Sequence, residues 1–220
     1  FLGNRLARAG EDVTALARGA TAEALRHFGW RMDSGGVRIT TPAKVEVDAA
    51  KAGAQDVVII AVKGPAMAEV APTLHPLLRD DTAVVTAMNG IPWWFAHHLP
   101  ALGGARPLES VDPGGRIIDA IRAAHIIGCV VHMAASVSEP GVVRHALGQQ
   151  FIIGEASGAV TPRLARIADA FRGAQLDVVV SQAIHRDIWY KLWGNMTVKP
   201  MSALNVATID RILDDPLTYR

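Results

Sequence analysis

The 220-residue sequence has a single cysteine, no long apolar run and no block of like charge. Cys129 alone cannot form a disulfide within the chain. A membrane-spanning helix needs roughly 20 consecutive apolar residues, and no stretch approaches that length. The 22 basic and 21 acidic residues are interleaved, so no surface stripe is predicted that would bind nucleic acid or an anionic membrane. We therefore expect a cytoplasmic protein whose partner is a small molecule.

Other chemical and targeting patterns are also missing. The eight histidines lack the spacing of metal ligands, so we predict no metal site. Ser136 and Ser138 have no histidine and acid pattern nearby, which argues against a hydrolase. The chain starts at Phe1 without the basic start and apolar core of a signal peptide, and residues 215–216 resemble a connection to a further segment. We expect a chain that is truncated at both ends.

What is present indicates an α/β fold. Half of the residues are hydrophobic and 20% are charged, as in a compact protein. Residues 56–62 and 82–88 are continuous apolar runs, typical of parallel strands covered on both faces, and we expect the first run to be central in its sheet. A helical pattern over 65–78 separates them. This strand, helix, strand order predicts a doubly wound parallel sheet of the Rossmann type.

The rest of the sequence suggests two domains. Residues 2–8 and 161–173 have helical patterns, and only helix is expected beyond Ser181. Further strands are predicted at 12–17, at 37–40 paired with 44–47, at 126–134, 141–145 and 150–153 as antiparallel additions to the sheet edge, and at 176–180. We place a Rossmann-type domain at residues 1–182 and the start of an all-α domain at residues 183–220.

Arg18 is a candidate cofactor residue. In a dinucleotide-binding fold the second strand ends at the adenosine ribose, where an acidic residue suits NAD and an arginine suits the 2′-phosphate of NADP. Arg18 follows the predicted strand 12–17 directly. The glycine-rich phosphate loop would precede Phe1 and is not observable. A surface arginine without a ligand is the alternative, and only the surrounding architecture favours NADP.

Lys63 and Asn89 end the two apolar runs. Ligands of open α/β sheets lie at the carboxyl ends of the strands, so both side chains are expected at the same edge, where they could contact cofactor and substrate together. Each is weak alone, because a lysine is often the first solvated residue after a strand and Asn89-Gly90 is a common turn dipeptide. Their parallel placement favours a site.

A polar stripe marks the predicted last helix. Asp187, Lys191 and Asn195 are four residues apart and share one face. In the simplest interpretation Asp187 and Lys191 form an exposed ion pair that contributes roughly 0.3–0.5 kcal/mol. The alternative is functional, because neighbours such as Trp189 and Trp193 would partly desolvate Lys191 and lower its pKa.

Two other groups are interpreted as core. Trp93, Trp94 and Phe95 could cover a pocket, but we expect them to fill the interior. Cys129 lies in an apolar strand and is expected to be a buried small hydrophobe.

Taken in order along the chain, these motifs resemble the ketopantoate reductase (2-dehydropantoate 2-reductase) family. The resemblance covers nearly the whole chain. The matching stretches are Arg18-Gly19, Ala61-Val62-Lys63, Asn89-Gly90-Ile91, Gly128-Cys129-Val130, Pro140-Gly141-Val142-Val143, Ile153-Gly154-Glu155 and residues 188–195.

The resemblance implies an NADPH-binding Rossmann domain followed by a helical domain like that of 6-phosphogluconate dehydrogenases. Hydride would pass from NADPH to the keto carbon of a 2-oxoacid, and Lys191 would donate a proton to the carbonyl oxygen. Asn89 would hold the nicotinamide side and the substrate, Lys63 would contact the cofactor and Asn195 the substrate. A homodimer is compatible with this assignment.

The sequence departs from the family at Lys199. The family usually has asparagine before the proline of this helix, whereas Lys199 precedes Pro200 here and adds a cation among the expected substrate contacts. Serine and glutamate residues that the family uses in its later helical domain would lie beyond Arg220. The resemblance implies reduction of ketopantoate to pantoate. The alternatives are a paralogous reductase of another branched 2-oxoacid and a non-catalytic NADPH sensor.

Overall fold

The computed structural model describes residues 1–104 and 107–214. The predicted connection at 215–216 and the end of the predicted second domain, 215–220, lie outside the described residues. The strands are β1 (Thr14–Leu16), β2 (Trp30–Ser34), β3 (Val37–Thr41), β4 (Lys44–Glu46), β5 (Val57–Ile60), β6 (Ala83–Ala87), β7 (Ile126–Glu139), β8 (Val142–Glu155) and β9 (Asp177–Val180). The helices are α1 (Leu2–Arg8), α2 (Gly19–Phe28), α3 (Ala49–Ala52), α4 (Met67–Val70), α5 (Arg116–Ala120), α6 (Pro162–Gly173), α7 (Ile184–Asn205) and α8 (Ile209–Asp214).

A seven-stranded mixed sheet carries the fold. Its strand order is β3-β2-β8-β7-β6-β5, and β9 also pairs with β8. The β5–β6, β6–β7, β2–β8 and β8–β9 pairs are parallel, whereas β2–β3 and β7–β8 are antiparallel. β1 and β4 form a separate parallel pair. Strands alternate with helices along much of the chain, and this architecture confirms the predicted Rossmann-type α/β fold.

Both faces of the sheet are buried, which explains the continuous apolar runs. Successive side chains of a strand point to opposite faces. Val84 therefore joins a core with Trp94 and Ile184, whereas the next residue, Val85, joins a core with Phe171 of α6 on the other face. Apolar residues are needed at every position of such a strand, because neither face meets solvent.

The structure does not show the central position predicted for residues 56–62. Among the described strands β5 pairs only with β6. An apolar run indicates that both faces of a strand are covered and says nothing about the number of its hydrogen-bonded neighbours. The run therefore identified a strand and left its place in the sheet open.

The predicted pairing of residues 37–40 with 44–47 is wrong. β3 pairs with β2 across a two-residue turn, in which Gly35 (φ 57°) and Gly36 (φ 80°) supply the positive φ angles of a tight hairpin. β4 pairs with β1 instead. Neither α2 nor β2 was predicted, so the true partner of β3 was missed.

The helix predicted over 65–78 is broken into short pieces. α4 is flanked by 3-10 helices at Gly64–Ala66 and Ala71–Leu77. Pro72 and Pro76 lie in the second of these. Proline has no N–H to donate and its ring clashes with the preceding turn, so a regular α-helix cannot continue there.

The β segments after residue 126 are longer than predicted and lie inside the sheet. β7 and β8 are each 14 residues long, and their antiparallel register shifts between His132 and Ala135. α6 begins after Thr161, as predicted, because the Thr161 hydroxyl accepts a hydrogen bond from the backbone N–H of Leu164 (3.3 Å).

A buried ion pair fixes the start of α6. The side chain of Glu155 is only 5% exposed and accepts hydrogen bonds from Arg163 Nε (2.8 Å) and Nη2 (2.6 Å). The hydroxyl of Thr161 donates to the same carboxylate (2.5 Å), and Arg163 Nη1 donates to the carbonyl of Ala124 (2.7 Å). The end of β8, the start of α6 and the segment before β7 are thereby joined.

α7 follows β9 after three residues and runs to Asn205, in the region beyond Ser181 where only helix was predicted. Ile184 and Ile188 on its first turns are buried against the sheet. Of the helices that the structure describes, none is both long enough and apolar enough to cross a membrane.

Candidate functional site

Lys63 and Asn89 lie at equivalent positions on neighbouring strands. Ile60 of β5 is the register partner of Thr86 of β6, and each candidate comes three residues after its strand partner. Both side chains are exposed. The structure therefore brings them to the same carboxyl edge of the sheet, as predicted.

Asn89 is held in place by the neighbouring strand. Its Nδ2 donates to the carbonyl oxygen of Val131 (3.2 Å), and its Oδ1 accepts from the backbone N–H of Val131 (3.2 Å). The side chain thus continues the β6–β7 ladder beyond the end of β6. A primary amide has two N–H donors, so one remains for a ligand.

Lys191 is partly buried and has no acidic partner among the residues that the structure describes. Burial lowers the pKa of its amino group, and the positive charge of Lys199 lowers that pKa further. Within residues 1–104 and 107–214 no carboxylate oxygen lies within 4 Å of its Nζ. An ammonium group without a counter-ion is available to an anionic or carbonyl oxygen.

The simplest interpretation of the helical stripe, an ion pair between Asp187 and Lys191, is therefore wrong. The Asp187 carboxylate accepts a hydrogen bond from the hydroxyl of Ser181, and it lies 3.8 Å from Nε of Arg186. Asp187 thus points back to the connection before α7, where the Ser181 hydroxyl is its hydrogen-bond donor.

His132 is a further group at this site that the sequence interpretation missed. Burial lowers the pKa of its imidazole, and the charge of Lys191 lowers that pKa further, so the two groups are electrostatic neighbours. His132 lies two residues after Val130 on β7 and so faces the side of the sheet that α7 covers. The alternation of side chains along β7 indicates that His132 and Val130 share one face of the sheet. Only the packing of α7 on that face shows that His132 lies near Lys191.

These groups form one polar constellation at the carboxyl edge of the sheet. Asn89 is hydrogen-bonded to the backbone of Val131, the residue before His132, and the charge of Lys191 lowers the pKa of His132. Lys63 lies beside Asn89 at the end of the next strand. Two ammonium groups, an amide and an imidazole can bind a carboxylate and polarise a carbonyl group.

The remaining candidates on α7 follow Lys191 along the helix. Asn195 is partly buried one turn later, and Lys199 is exposed one turn beyond that. Trp189 and Trp193 are 56% and 61% exposed. Lys191 is partly desolvated, as predicted, although both tryptophans remain largely in contact with solvent.

Arg18 lies apart from this constellation. It is the exposed residue before α2 and follows β1, in the two-stranded sheet. It forms no ion pair or side-chain hydrogen bond with any residue in the described ranges. The structure does not bring Arg18 into contact with Lys191, but an unpaired guanidinium after the strand suits a phosphate group.

The predicted core residues are where the sequence placed them. Trp93, Trp94 and Phe95 are buried, and Cys129 is buried in β7. Burial raises the pKa of the Cys129 thiol to about 12, so it is not a reactive thiolate. In the part of the chain that the structure describes, no three His, Cys, Asp or Glu side chains are grouped to hold a metal ion.

The sheet and the polar edge together define a Rossmann-like α/β protein. A family model described as "Ketopantoate reductase PanE/ApbA" matches residues 1–158. The chain is 39% identical over 217 residues to a 2-dehydropantoate 2-reductase of Mesorhizobium japonicum. The chain therefore belongs to the ketopantoate reductase family, which confirms the resemblance.

Solved structures agree with this assignment. A crystal structure from Ralstonia solanacearum MolK2, of a protein classed with the ketopantoate reductases, has 51% identity and a TM-score of 0.94 over 99% of this chain and 68% of that chain. The 2-dehydropantoate 2-reductase of Geobacter metallireducens has 25% identity and a TM-score of 0.81 over 98% of this chain and 65% of that one. The match to the Mesorhizobium protein covers 98% of this chain and 66% of that protein.

Proposed function

We propose that the protein reduces a 2-oxoacid to a 2-hydroxy acid with NADPH, and that the substrate is 2-dehydropantoate, which is reduced to pantoate on the route to pantothenate and coenzyme A. Family membership supports the reaction class, and the names of the Mesorhizobium and Geobacter relatives support the substrate. The observation that carries the proposal is Lys191, a partly buried ammonium without a carboxylate partner in the described ranges, beside the sheet edge that holds Asn89.

Lys191 is the proton donor in this proposal. As the carbonyl carbon is reduced, negative charge develops on its oxygen, and an adjacent ammonium group stabilises that charge. Burial and the charge of Lys199 lower the pKa of Lys191, which makes its proton easier to release to the nascent alkoxide. Lys191 leaves this step as a neutral amine and must regain a proton before the next turnover.

Asn89 and Asn195 orient the substrate. The ladder to Val131 fixes the amide of Asn89, so its remaining N–H has a defined direction. Asn195 lies one turn after Lys191 on the same face of α7, where its amide can hold the oxygen atoms of the acid. Fixed donors cost little reorganisation when the reaction proceeds.

The residues present fit NADPH. Arg18 is exposed and unpaired among the described residues, and Lys63 is exposed at the sheet edge, so both cations are free to meet phosphate groups. When bound, NADPH supplies the hydride. We assign Arg18 to the 2′-phosphate, Lys63 to the cofactor side of the cleft and Asn89 to the nicotinamide side.

A second candidate is a paralogous reductase that acts on another branched 2-oxoacid. Lys199 favours it, because this exposed cation follows Asn195 where the resemblance implies asparagine. A non-catalytic NADPH sensor is the third reading, and turnover by itself distinguishes it from the other two.

The test is NADPH oxidation by the full-length protein with a panel of 2-oxoacids, repeated with NADH. We expect the highest kcat/KM with 2-dehydropantoate and a preference for NADPH. A higher kcat/KM with another 2-oxoacid would favour the paralogous reductase. Tight cofactor binding without turnover of any substrate would favour the sensor.

Three expectations stay predictions. They are the domain boundary between residues 182 and 183, a location in the cytoplasm and a homodimeric assembly. The predicted boundary would lie in the connection between β9 and α7.

A further inference from the structure

The start of α7 lies directly on a pair of glycines in the sheet. Gly128 of β7 and Gly154 of β8 are register partners, and the fully buried Ile184 packs on both. A Cβ atom on Gly128 would lie 2.6 Å from Cγ1 of Ile184, and one on Gly154 would lie 3.2 Å from its Cβ. The first distance is shorter than real Cβ contacts, so a side chain at Gly128 would push α7 away or displace Ile184.

Trp94 closes the same face of Gly128. A Cβ atom there would also lie 2.7 Å from Cη2 of Trp94, whose buried indole donates a hydrogen bond to the hydroxyl of Thr86 (3.3 Å). Trp94 packs edge-on against His185, the second residue of α7, with ring centroids 5.6 Å apart. An added methyl group would therefore meet Ile184 and Trp94 at once, and both side chains are fully buried.

The connection before α7 is held equally closely. A Cβ atom on Gly154 would lie 2.5 Å from the carbonyl oxygen of Ser181. The backbone N–H of Ser181 donates to the carbonyl of Ile153 (2.8 Å), and the Ser181 hydroxyl donates to the carboxylate of Asp187. The first turn of α7 is thus fixed on the sheet before the helix reaches the polar edge.

Lys191 follows this contact on the same rigid helix. It lies seven residues after Ile184, which is two helical turns or about 10 Å along the axis. Relieving the contact at Gly128 requires a movement of about 1 Å, since ordinary carbon contacts begin near 3.4 Å. A misplacement of about 1 Å at a reacting group can lower the rate about 100-fold.

We propose that Gly128 and Gly154 are positioning residues for the reaction: their bare backbone sets the height of α7 above the sheet and thereby places Lys191 at the carboxyl edge of the sheet. This inference rests on the proposed role of Lys191 as proton donor. Glycines that served packing alone would affect the stability of the fold and leave the chemistry of the folded protein unchanged.

The first test is Gly128→Ala in the full-length protein, with Gly173→Ala as the matched control. A Cβ atom on Gly173, at the end of α6, meets nothing within 4 Å, so that variant adds the same methyl group without a contact. We expect kcat of Gly128→Ala to fall about 100-fold while KM for NADPH stays unchanged. Gly173→Ala should keep the kcat of the parent protein.

A second readout does not depend on turnover. The pH dependence of acetylation at Lys191, followed by mass spectrometry, reports when its amine loses the proton. Burial lowers the pKa of Lys191, so displacement into solvent should move the acetylation midpoint of Gly128→Ala to higher pH. A folded Gly128→Ala protein with the parent's kcat and the parent's Lys191 profile would overturn the proposal.

The two proposals fail in different ways. If the parent protein reduces no 2-oxoacid, the proposed reductase is wrong, whereas the Lys191 profile still tests the glycine pair. If Gly128→Ala does not fold, Ile184→Ala is the variant that tests the proposal. It removes the contact between Ile184 and the two glycines without adding a clash. We then expect a shifted Lys191 profile, and a profile identical to that of the parent would overturn the proposal.

Discussion

Replacing Lys191 with alanine removes the proposed proton donor and little else. General acid catalysis by one positioned side chain contributes about 10²- to 10⁴-fold to a rate, which corresponds to about 3–5 kcal/mol of activation free energy. Lys191 has no carboxylate within 4 Å among the described residues, so its loss leaves no buried acid unpaired. We therefore expect kcat to fall by at least about 100-fold.

The fold should tolerate this substitution. Lys191 is only partly buried, and alanine has a higher helix propensity than lysine, so the free energy of unfolding should change by no more than about 0.5 kcal/mol. Cofactor affinity should persist as well, because Arg18 and Lys63 lie on other elements. The loss of rate would then belong to the chemical step.

The assay compares Lys191→Ala with Arg186→Ala, a control on the same helix whose side chain is 81% exposed. Single-turnover NADPH oxidation measures the chemical step, and a fluorescence titration measures NADPH affinity. We expect Arg186→Ala to match the parent protein in both. Unchanged single-turnover rates in folded Lys191→Ala would refute the assignment of Lys191 as proton donor.

Three further predictions concern the cofactor, the pH profile and the fold. Arg18→Ala should weaken NADPH binding far more than NADH binding in parallel titrations, and equal losses would remove Arg18 from the 2′-phosphate site. Because Lys191 must be protonated to act, kcat should fall as pH rises through the pKa of Lys191. The charge of Lys199 is one cause of that lowered pKa, so Lys199→Asn should shift the decrease in kcat to higher pH in a pH–rate profile. This movement should shrink in high salt, and a movement to lower pH would contradict the charge argument. Glu155→Ala should lower the free energy of unfolding in urea by about 3 kcal/mol, because Arg163 loses its buried partner; a change under about 1 kcal/mol would show that the pair stabilises little.

Local sequence patterns were sufficient for much of the fold. Residues 161–173 repeat apolar side chains with helical spacing, and α6 forms there with those side chains buried. The apolar runs at 56–62 and 82–88 form adjacent parallel strands. Lys63 and Asn89 reach one sheet edge because each directly follows such a strand. Patterns of this kind depend on backbone geometry within one element, so a single segment contains the information.

Strand pairing was less accessible, because the partner of a strand is chosen by contacts far along the chain. The β2–β3 hairpin is an exception, because the Gly35-Gly36 pair was a local signal for it that the sequence interpretation missed. Nothing local indicates that β2 also pairs with β8, more than 100 residues later. The apolar character of β5 likewise could not reveal that β6 is its partner among the described strands, since burial of the two faces is independent of strand order.

The chemistry of Lys191 shows the same division. The sequence by itself determined the stripe of Asp187, Lys191 and Asn195 on one helix face, since the 3.6-residue period requires it. Only the tertiary structure decided that Asp187 accepts a hydrogen bond from Ser181 and does not pair with Lys191. It also decided that His132 lies close enough to Lys191 for the lysine charge to lower the histidine pKa. A pKa depends on burial and on charges from every neighbouring element, and those neighbours exist only once the sheet and α7 have packed together.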